Sequence, residues 1–177
     1  MTRYVALLRG INVGGHNKVP MAELRALFAE LGHAGARSYI QSGNVVFDAD
    51  EAPEPLRAKL EAAVAERFDV ANPIMLRDRG ELEAIVAANP FAGRDLDPKK
   101  VTVSFLSGAL SGGEDLAVPE GMVEEIVAAR RELYVYYPDG LGRTRLDSAF
   151  FARRLRGASA TVRNWRTVEK LRDMMGE

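Results

Sequence analysis

The stretch "SYIQSGNVVF", Ser38 to Phe47, decides how the first half of this chain folds. Two runs of strand-forming residues flank Ser42-Gly43, a pair that suits a tight hairpin turn. On its N-terminal side, Met21, Leu24, Leu27, Phe28 and Leu31 fall on one face of a helix, with Pro20 as a first helical residue and Gly32 as the stop. Before that helix, Tyr4 to Leu8 is a short apolar run ended by Gly10 and reads as a buried strand. On the C-terminal side, Leu56, Leu60, Val64 and Phe68 recur every four residues after Pro55, a second amphipathic helix. "PIMLR", Pro73 to Arg77, then supplies a fourth strand. The order β-α-β-β-α-β is the ferredoxin-like pattern.

The second half repeats this loosely. Leu82, Ile85 and Val86 predict a short helix that ends at Asn89-Pro90, and "FAGRDLDPKK" reads as a linker. "VTVSFL" and "ELYVYY" are strands, and Met122, Val123, Ile126 and Val127 predict a helix between them. Asp147 to Leu155 reads as a helix with Phe150, Phe151 and Leu155 inward, and "ATVR" as a last short strand. Trp165, Val168, Leu171 and Met175 suit a final helix capped by Asn164 and anchored in the core by its tryptophan. The fold expected is therefore α+β: two tandem ferredoxin-like (βαββαβ-type) subdomains with antiparallel sheets. They span residues 1–92 and 93–177 and pack together as one unit. No residue-level repeat between the halves is visible.

Composition narrows the function. A chain of 177 residues with 47% apolar and 28% charged residues is an ordinary globular protein. Cysteine is absent, which removes disulfides, thiol catalysis and thiolate metal sites. No apolar run is long enough to span a bilayer, and "MTRYVALLRG" lacks the features of an export signal, so a cytoplasmic setting is expected. The net charge of -1 hides an asymmetry. From Arg143 to Glu177 there are eight Arg and one Lys against two Glu and two Asp. That basic segment is either a set of solvated helix faces or an attraction for phosphate or nucleic acid.

The glycine-rich "RGINVGGHNK", Arg9 to Lys18, follows the first strand. It lacks the Walker A spacing, because Lys18 is followed by Val19, and it lacks G-x-G-x-x-G. It either cradles an anion on backbone N–H groups or turns the chain into the next helix. In a βαββαβ sheet the first and third strands are antiparallel neighbours. That topology brings Arg9, Asn12 and Lys18 toward Gln41, Ser42 and Asn44 and makes one end of the sheet rich in hydrogen-bond donors. The same groups also suit a polar network that ties the turns together. Arg163 and Asn164 either cap the last helix or complete an anion site.

Other chemistries find little support. His16 and His33 make no metal signature and read as surface residues. Asp95-Leu96-Asp97-Pro98 reads as a turn. Ser42, Ser104 and Ser107 lack a nucleophile elbow, and no carboxylate pair stands out for acid–base work. Neither a cofactor nor a metal is expected. Tyr134 and Tyr136 share one strand face, which either stacks bases or lies beneath a helix.

Four segments carry a resemblance to a known family: "LLRGINVGG", "IQSGNVVF", "NPF" (Asn89 to Phe91) and "RNW" followed by "TVEKL". In this order they resemble the bacterial family catalogued as domain of unknown function 1697. The resemblance implies two ferredoxin-like subdomains and supplies no activity. It carries over Arg9, Gly10, Asn12, Gly14, Gly15, Gln41, Ser42, Gly43, Asn44, Asn89, Pro90, Arg163, Asn164, Trp165 and Thr167. Arg166 departs from the amide often expected there.

The preferred reading is an uncharacterised small-ligand binding protein that recognises a phosphate- or nucleotide-like anion at the polar end of the first sheet. Arg9, Gly10, Asn12, Gly14, Gly15, Lys18, Gln41, Ser42, Asn44, Arg163 and Asn164 are its candidate binding residues. The alternatives are a nucleic-acid-binding protein using the basic C-terminal segment, an enzyme with an unidentified carboxylate base, and an interaction protein whose polar motifs only hold turns. No membrane partner is expected, and the sequence leaves the oligomeric state open.

Overall fold

The computed structural model describes residues 1–177, which divide into two units, Met1–Ala84 with Leu171–Glu177 and Ile85–Lys170. The architecture is α+β, with two four-stranded antiparallel sheets and five α-helices. No helix is long and apolar enough to cross a membrane.

The first unit runs β1 (Thr2–Leu8), α1 (Met21–Glu30), β2 (Arg37–Tyr39), β3 (Asn44–Ala49), α2 (Pro53–Phe68) and β4 (Ile74–Asp78), with sheet order β2-β3-β1-β4. Alternation sorts its side chains. Tyr4, Ala6, Leu8, Val45, Phe47, Ile74 and Leu76 point into one core with Leu24, Leu27 and Phe28 of α1 and Leu56, Leu60 and Val64 of α2. Val5, Leu7, Val46, Met75 and Arg77 on the opposite face are buried as well. The strands therefore read as continuous apolar runs because both faces of the sheet are covered.

The hairpin turn is wider than the Ser42-Gly43 pair suggests. Tyr39 pairs with Asn44, so Ile40 to Gly43 all lie in the loop, with Ile40 at φ 51° and Gly43 at φ 80°. His33, expected at the surface, is buried. Its Nδ1 lies 3.0 Å from the Asp48 carbonyl oxygen, and its ring meets Phe47 edge-on at 4.9 Å. The turn after α1 folds the imidazole back under the sheet, which helical periodicity alone does not reveal.

The second unit holds β5 (Val101–Leu106), β6 (Glu125–Ala128), β7 (Glu132–Tyr136), α4 (Ser148–Arg154) and β8 (Ala160–Asn164), with sheet order β6-β7-β5-β8. Two helices straddle the division in sequence, α3 (Arg79–Ala87) and α5 (Trp165–Gly176). The helix expected around Met122–Val127 is absent. Glu125–Ala128 is instead a strand paired with β7, from Glu125 opposite Tyr136 to Ala128 opposite Leu133. An apolar run this short fits either period, and an available edge of β7 decides for strand. The connection before it, Ser107 to Glu124, carries Gly108, Gly112, Gly113, Pro119 and Gly121, which disfavour a helix there.

The two sheets match in one detail that the sequence hid. Arg77 on β4 stands opposite Val5 of β1, and Arg163 on β8 stands opposite Val103 of β5. Both are buried, at 1% and 6% exposure. Each donates through Nη1 to the carbonyl of its predecessor, Leu76 at 2.8 Å and Val162 at 2.9 Å. The next residue caps the following helix in both cases: Asp78 Oδ1 accepts from the Glu81 N–H at 2.8 Å, and Asn164 Oδ1 from the Thr167 N–H at 2.9 Å.

Candidate functional site

The residues singled out around "RGINVGGHNK" and the hairpin do gather at one end of the first sheet. Antiparallel pairing sets Leu7 against Asn44, and the Leu8 N–H donates to the Gly43 carbonyl at 2.8 Å. Beyond β1 the chain forms a small tongue. The Asn12 N–H donates to the Asn17 carbonyl at 3.0 Å and the His16 N–H to the Val13 carbonyl at 2.9 Å. Gly14 and Gly15 at its tip have φ 58° and 78°. Two positive φ angles in succession are what a tight hairpin turn with the twist of flanking strands requires.

Asn12 pins this tongue. Its Nδ2 donates to the carbonyls of Val19 at 2.9 Å and Gln41 at 2.8 Å, and its Oδ1 accepts from the Val19 N–H at 2.8 Å. One side chain thus joins the tongue, the entry to α1 and the hairpin. Asn17 Nδ2 donates to the Gly10 carbonyl at 2.8 Å, and Asn72 Nδ2 to the Arg9 carbonyl at 3.0 Å. Asn44 is buried, and its Nδ2 donates to the Tyr39 carbonyl and to Ser42 Oγ, each at 2.9 Å. A Cβ on Gly43 would lie 2.6 Å from Ile11 Cδ1 and 2.9 Å from Leu8 Cβ, so only glycine lets the hairpin close over Ile11. Asn12, Asn44, Ser42 and Gly43 therefore build the scaffold of this end of the sheet. Gly14, Gly15, His16, Lys18 and Gln41 are exposed on it, and Arg9 is half-buried.

Arg163 and Asn164 lie in the second unit. Arg163 Nη1 donates to Thr161 Oγ1 at 2.8 Å, and burial pulls the guanidinium down to about 10. Tyr134 is buried beneath α3, with its hydroxyl donating to the Ile85 carbonyl at 2.7 Å, and burial pushes that phenol up to about 12. Tyr136 is half-buried, with the Arg94 guanidinium 5.3 Å from its ring centroid.

A cleft that the sequence reading did not single out lies in this second unit. It encloses about 390 Å³ and is lined by Asn89, Phe91, Arg94, Leu96, Trp165 and Glu169 among others. Trp165, expected in the core, is half-buried on its wall. The loop from Asn89 to Pro98 shapes one side: Asn89 Oδ1 accepts from the Phe91 N–H at 2.9 Å, and Arg94 lies over the Phe91 ring. A lone tryptophan at a helix start four residues before a glutamate was the available signal, but it needs the distant "NPF" loop to become a cavity.

The sheets and helices define an α+β protein of two four-stranded antiparallel layers, and comparison with known proteins agrees. The chain belongs to the family described as "Protein of unknown function (DUF1697)", whose profile matches residues 1–134. No curated protein matches it. Among solved structures it is similar to the conserved bacterial protein SP0830 from Streptococcus pneumoniae. The TM-score is 0.76 at 27% sequence identity, covering 100% of this chain and 99% of that one.

Proposed function

We propose that this chain is a binding protein for a small anionic ligand, phosphate- or nucleotide-like, taken at the polar end of the first sheet. We further propose that its two halves are tandem ferredoxin-like subdomains. The strand orders β2-β3-β1-β4 and β6-β7-β5-β8 support the second point. The observation that carries the first is the tip of the tongue. The Gly14 and Gly15 amides donate to no acceptor within the chain, and exposed His16 and Lys18 flank them on a scaffold held by the three hydrogen bonds of Asn12. Exposed N–H groups without an acceptor, beside a cation, suit an oxyanion. Arg9 would add the second cation.

A thermal-shift series with inorganic phosphate, AMP and ATP tests this. A ligand at a hundredfold over its Kd adds about 2.7 kcal/mol of stability, and the shift is expected to vanish in Lys18→Ala and shrink in Arg9→Ala. No shift from any of the three, or one unchanged in both variants, refutes the reading.

A second reading, nucleic-acid binding, is favoured by one observation. Arg143, Arg145, Arg153, Arg154 and Arg156 pair with no carboxylate. Retention on single-stranded RNA that falls steeply between 50 and 200 mM salt, roughly in proportion to the phosphates contacted, is what that reading requires.

A further inference from the structure

The cleft of the second unit has its own chemistry, separate from the anion reading above. Its walls mix apolar and polar groups: Val86, Phe91, Leu96, Val101 and the half-buried indole of Trp165 stand beside Asn89, Arg94 and Glu169. Two charges reach it, and they are not equivalent. Arg94 is already neutralised, because its Nη1 and Nη2 donate to the two carboxylate oxygens of Glu125 at 2.9 and 2.8 Å. That pairing holds the Glu125 carboxyl below the usual carboxylate range. The same guanidinium covers the faces of Phe91 and Tyr136, with 5.5 and 5.3 Å to the ring centroids. Glu169 has no such partner: no cation or donor of the chain pairs with its carboxylate. It stands four residues after Trp165, so carboxylate and indole share one face of α5.

The cleft is thus left with one uncompensated negative charge beside an aromatic ring. An anion meets repulsion from Glu169 there, and the Arg94 charge that could offset it is already paired with Glu125. A neutral apolar molecule would leave the carboxylate desolvated without compensation. An organic cation answers both, pairing with the carboxylate and lying against the indole. Asn89 adds a directional group. Its Oδ1 is used by the Phe91 N–H, while its Nδ2 makes no bond within the chain and is available to a ligand carbonyl. A volume of about 390 Å³ suits a small molecule or one extended side chain with its backbone.

The geometry points to a second binding site, for a small organic cation: an amine or guanidinium on an apolar stem that also carries a carbonyl acceptor. Glu169 binds the cation, Trp165 covers the stem, and Asn89 orients the carbonyl.

The chain has one tryptophan, so its emission reports on this cleft alone. Argininamide, citrullinamide and lysinamide are each titrated into the protein with the α-amino group acetylated, so that citrullinamide, in which a neutral urea replaces the guanidinium, carries no charge. The expected result is a saturable change in Trp165 emission with argininamide or lysinamide, with citrullinamide at least tenfold weaker. Glu169→Gln is expected to weaken binding of the cation at least tenfold, and Glu169→Asp to retain most of it. The absence of any saturable change with both cations overturns the proposal. So does equal affinity for citrullinamide, or an unchanged affinity in a folded Glu169→Gln variant. Should that variant fail to fold, the comparison of argininamide with citrullinamide on the unaltered protein decides alone.

Discussion

Leu24, Leu27 and Phe28 of α1 close one face of the first sheet, and all three are buried. The second sheet has the same strand order but no helix at the matching place. There the irregular connection from Ser107 to Glu124 lays Leu110, Leu116 and Met122 against the core, each only partly buried. Full burial of a large aliphatic or aromatic side chain stabilises by about 1.5–3 kcal/mol, so the helix closes its sheet more strongly than the loop closes the other. The comparison teaches that strand pairing and the buried arginine specify such a unit, and that the cover over its core is exchangeable. It also separates the candidate sites. The first unit uses its loop glycines and asparagines to build a polar tongue pinned by Asn12, and the second opens a cleft of mixed apolar and polar lining beside its linker-like loop.

The parallel breaks most easily at the arginines. Arg77→Ala and Arg163→Ala are each expected to destabilise by roughly 3–5 kcal/mol, through a cavity and orphaned buried acceptors, read as the midpoint of urea unfolding. A large loss at one position and almost none at the other would end the equivalence of β4 and β8.

The turns come next. The Leu8 N–H donates to Gly43 and the Leu106 N–H to Arg131, so these two residues occupy matching places. Gly43→Ala forces both a positive φ and contacts under 3 Å, and is expected to cost about 2–4 kcal/mol. Arg131→Gly at the matching place meets no such constraint, since Arg131 does not have a positive φ, and is expected to cost under about 1 kcal/mol.

Asn12→Ala is expected to cost about 1.5–3 kcal/mol from its three hydrogen bonds, measured by the same unfolding curve. The matching tie in the second unit runs from the Leu110 N–H to the Arg130 carbonyl at 2.8 Å, so Leu110→Ala keeps it and loses only packing.

The smallest effect lies in acid. The Arg3 guanidinium bonds the Asp48 carboxylate at 2.9 and 3.0 Å and lowers its pKa. In the second unit the Ser111 backbone N–H, its hydroxyl and the Gly112 N–H hold the Glu114 carboxyl at about 2. A depressed carboxylate stabilises the fold above its unfolded pKa of about 4 and loses that contribution as pH falls through the folded value. Asp48→Asn and Glu114→Gln are each expected to lower Tm slightly at pH 7, where the carboxylate contributes, and to flatten the decline between about pH 4.5 and 2 so that variant and parent converge in acid; the effect is small because both groups are partly exposed. A decline as steep in both variants as in the parent would place the acid sensitivity elsewhere.

Much of this molecule was legible in its residues. Short apolar runs and the Ser42-Gly43 turn placed the first unit's strands, spacings of three and four placed its helices, and the neighbouring of β1 and β3 followed from their order. The polar cluster at Asn12 and Asn44 followed too, though side chains there bond the chain itself more than the sequence could tell. The β6 strand was not legible, because four residues from Glu125 to Ala128 take whichever form their neighbour offers.

What the sequence by itself determined is local: which segments alternate, where glycine and proline interrupt, and that no thiol chemistry is available. Only the tertiary structure decided that Arg77 and Arg163 occupy one register, that His33 turns inward, and that Trp165, Glu169 and the Asn89 loop enclose a cavity. The physical reason is distance along the chain. Periodicity records which side of its own backbone a residue faces, whereas burial of a charge and the shape of a cleft depend on groups brought together from dozens of residues apart.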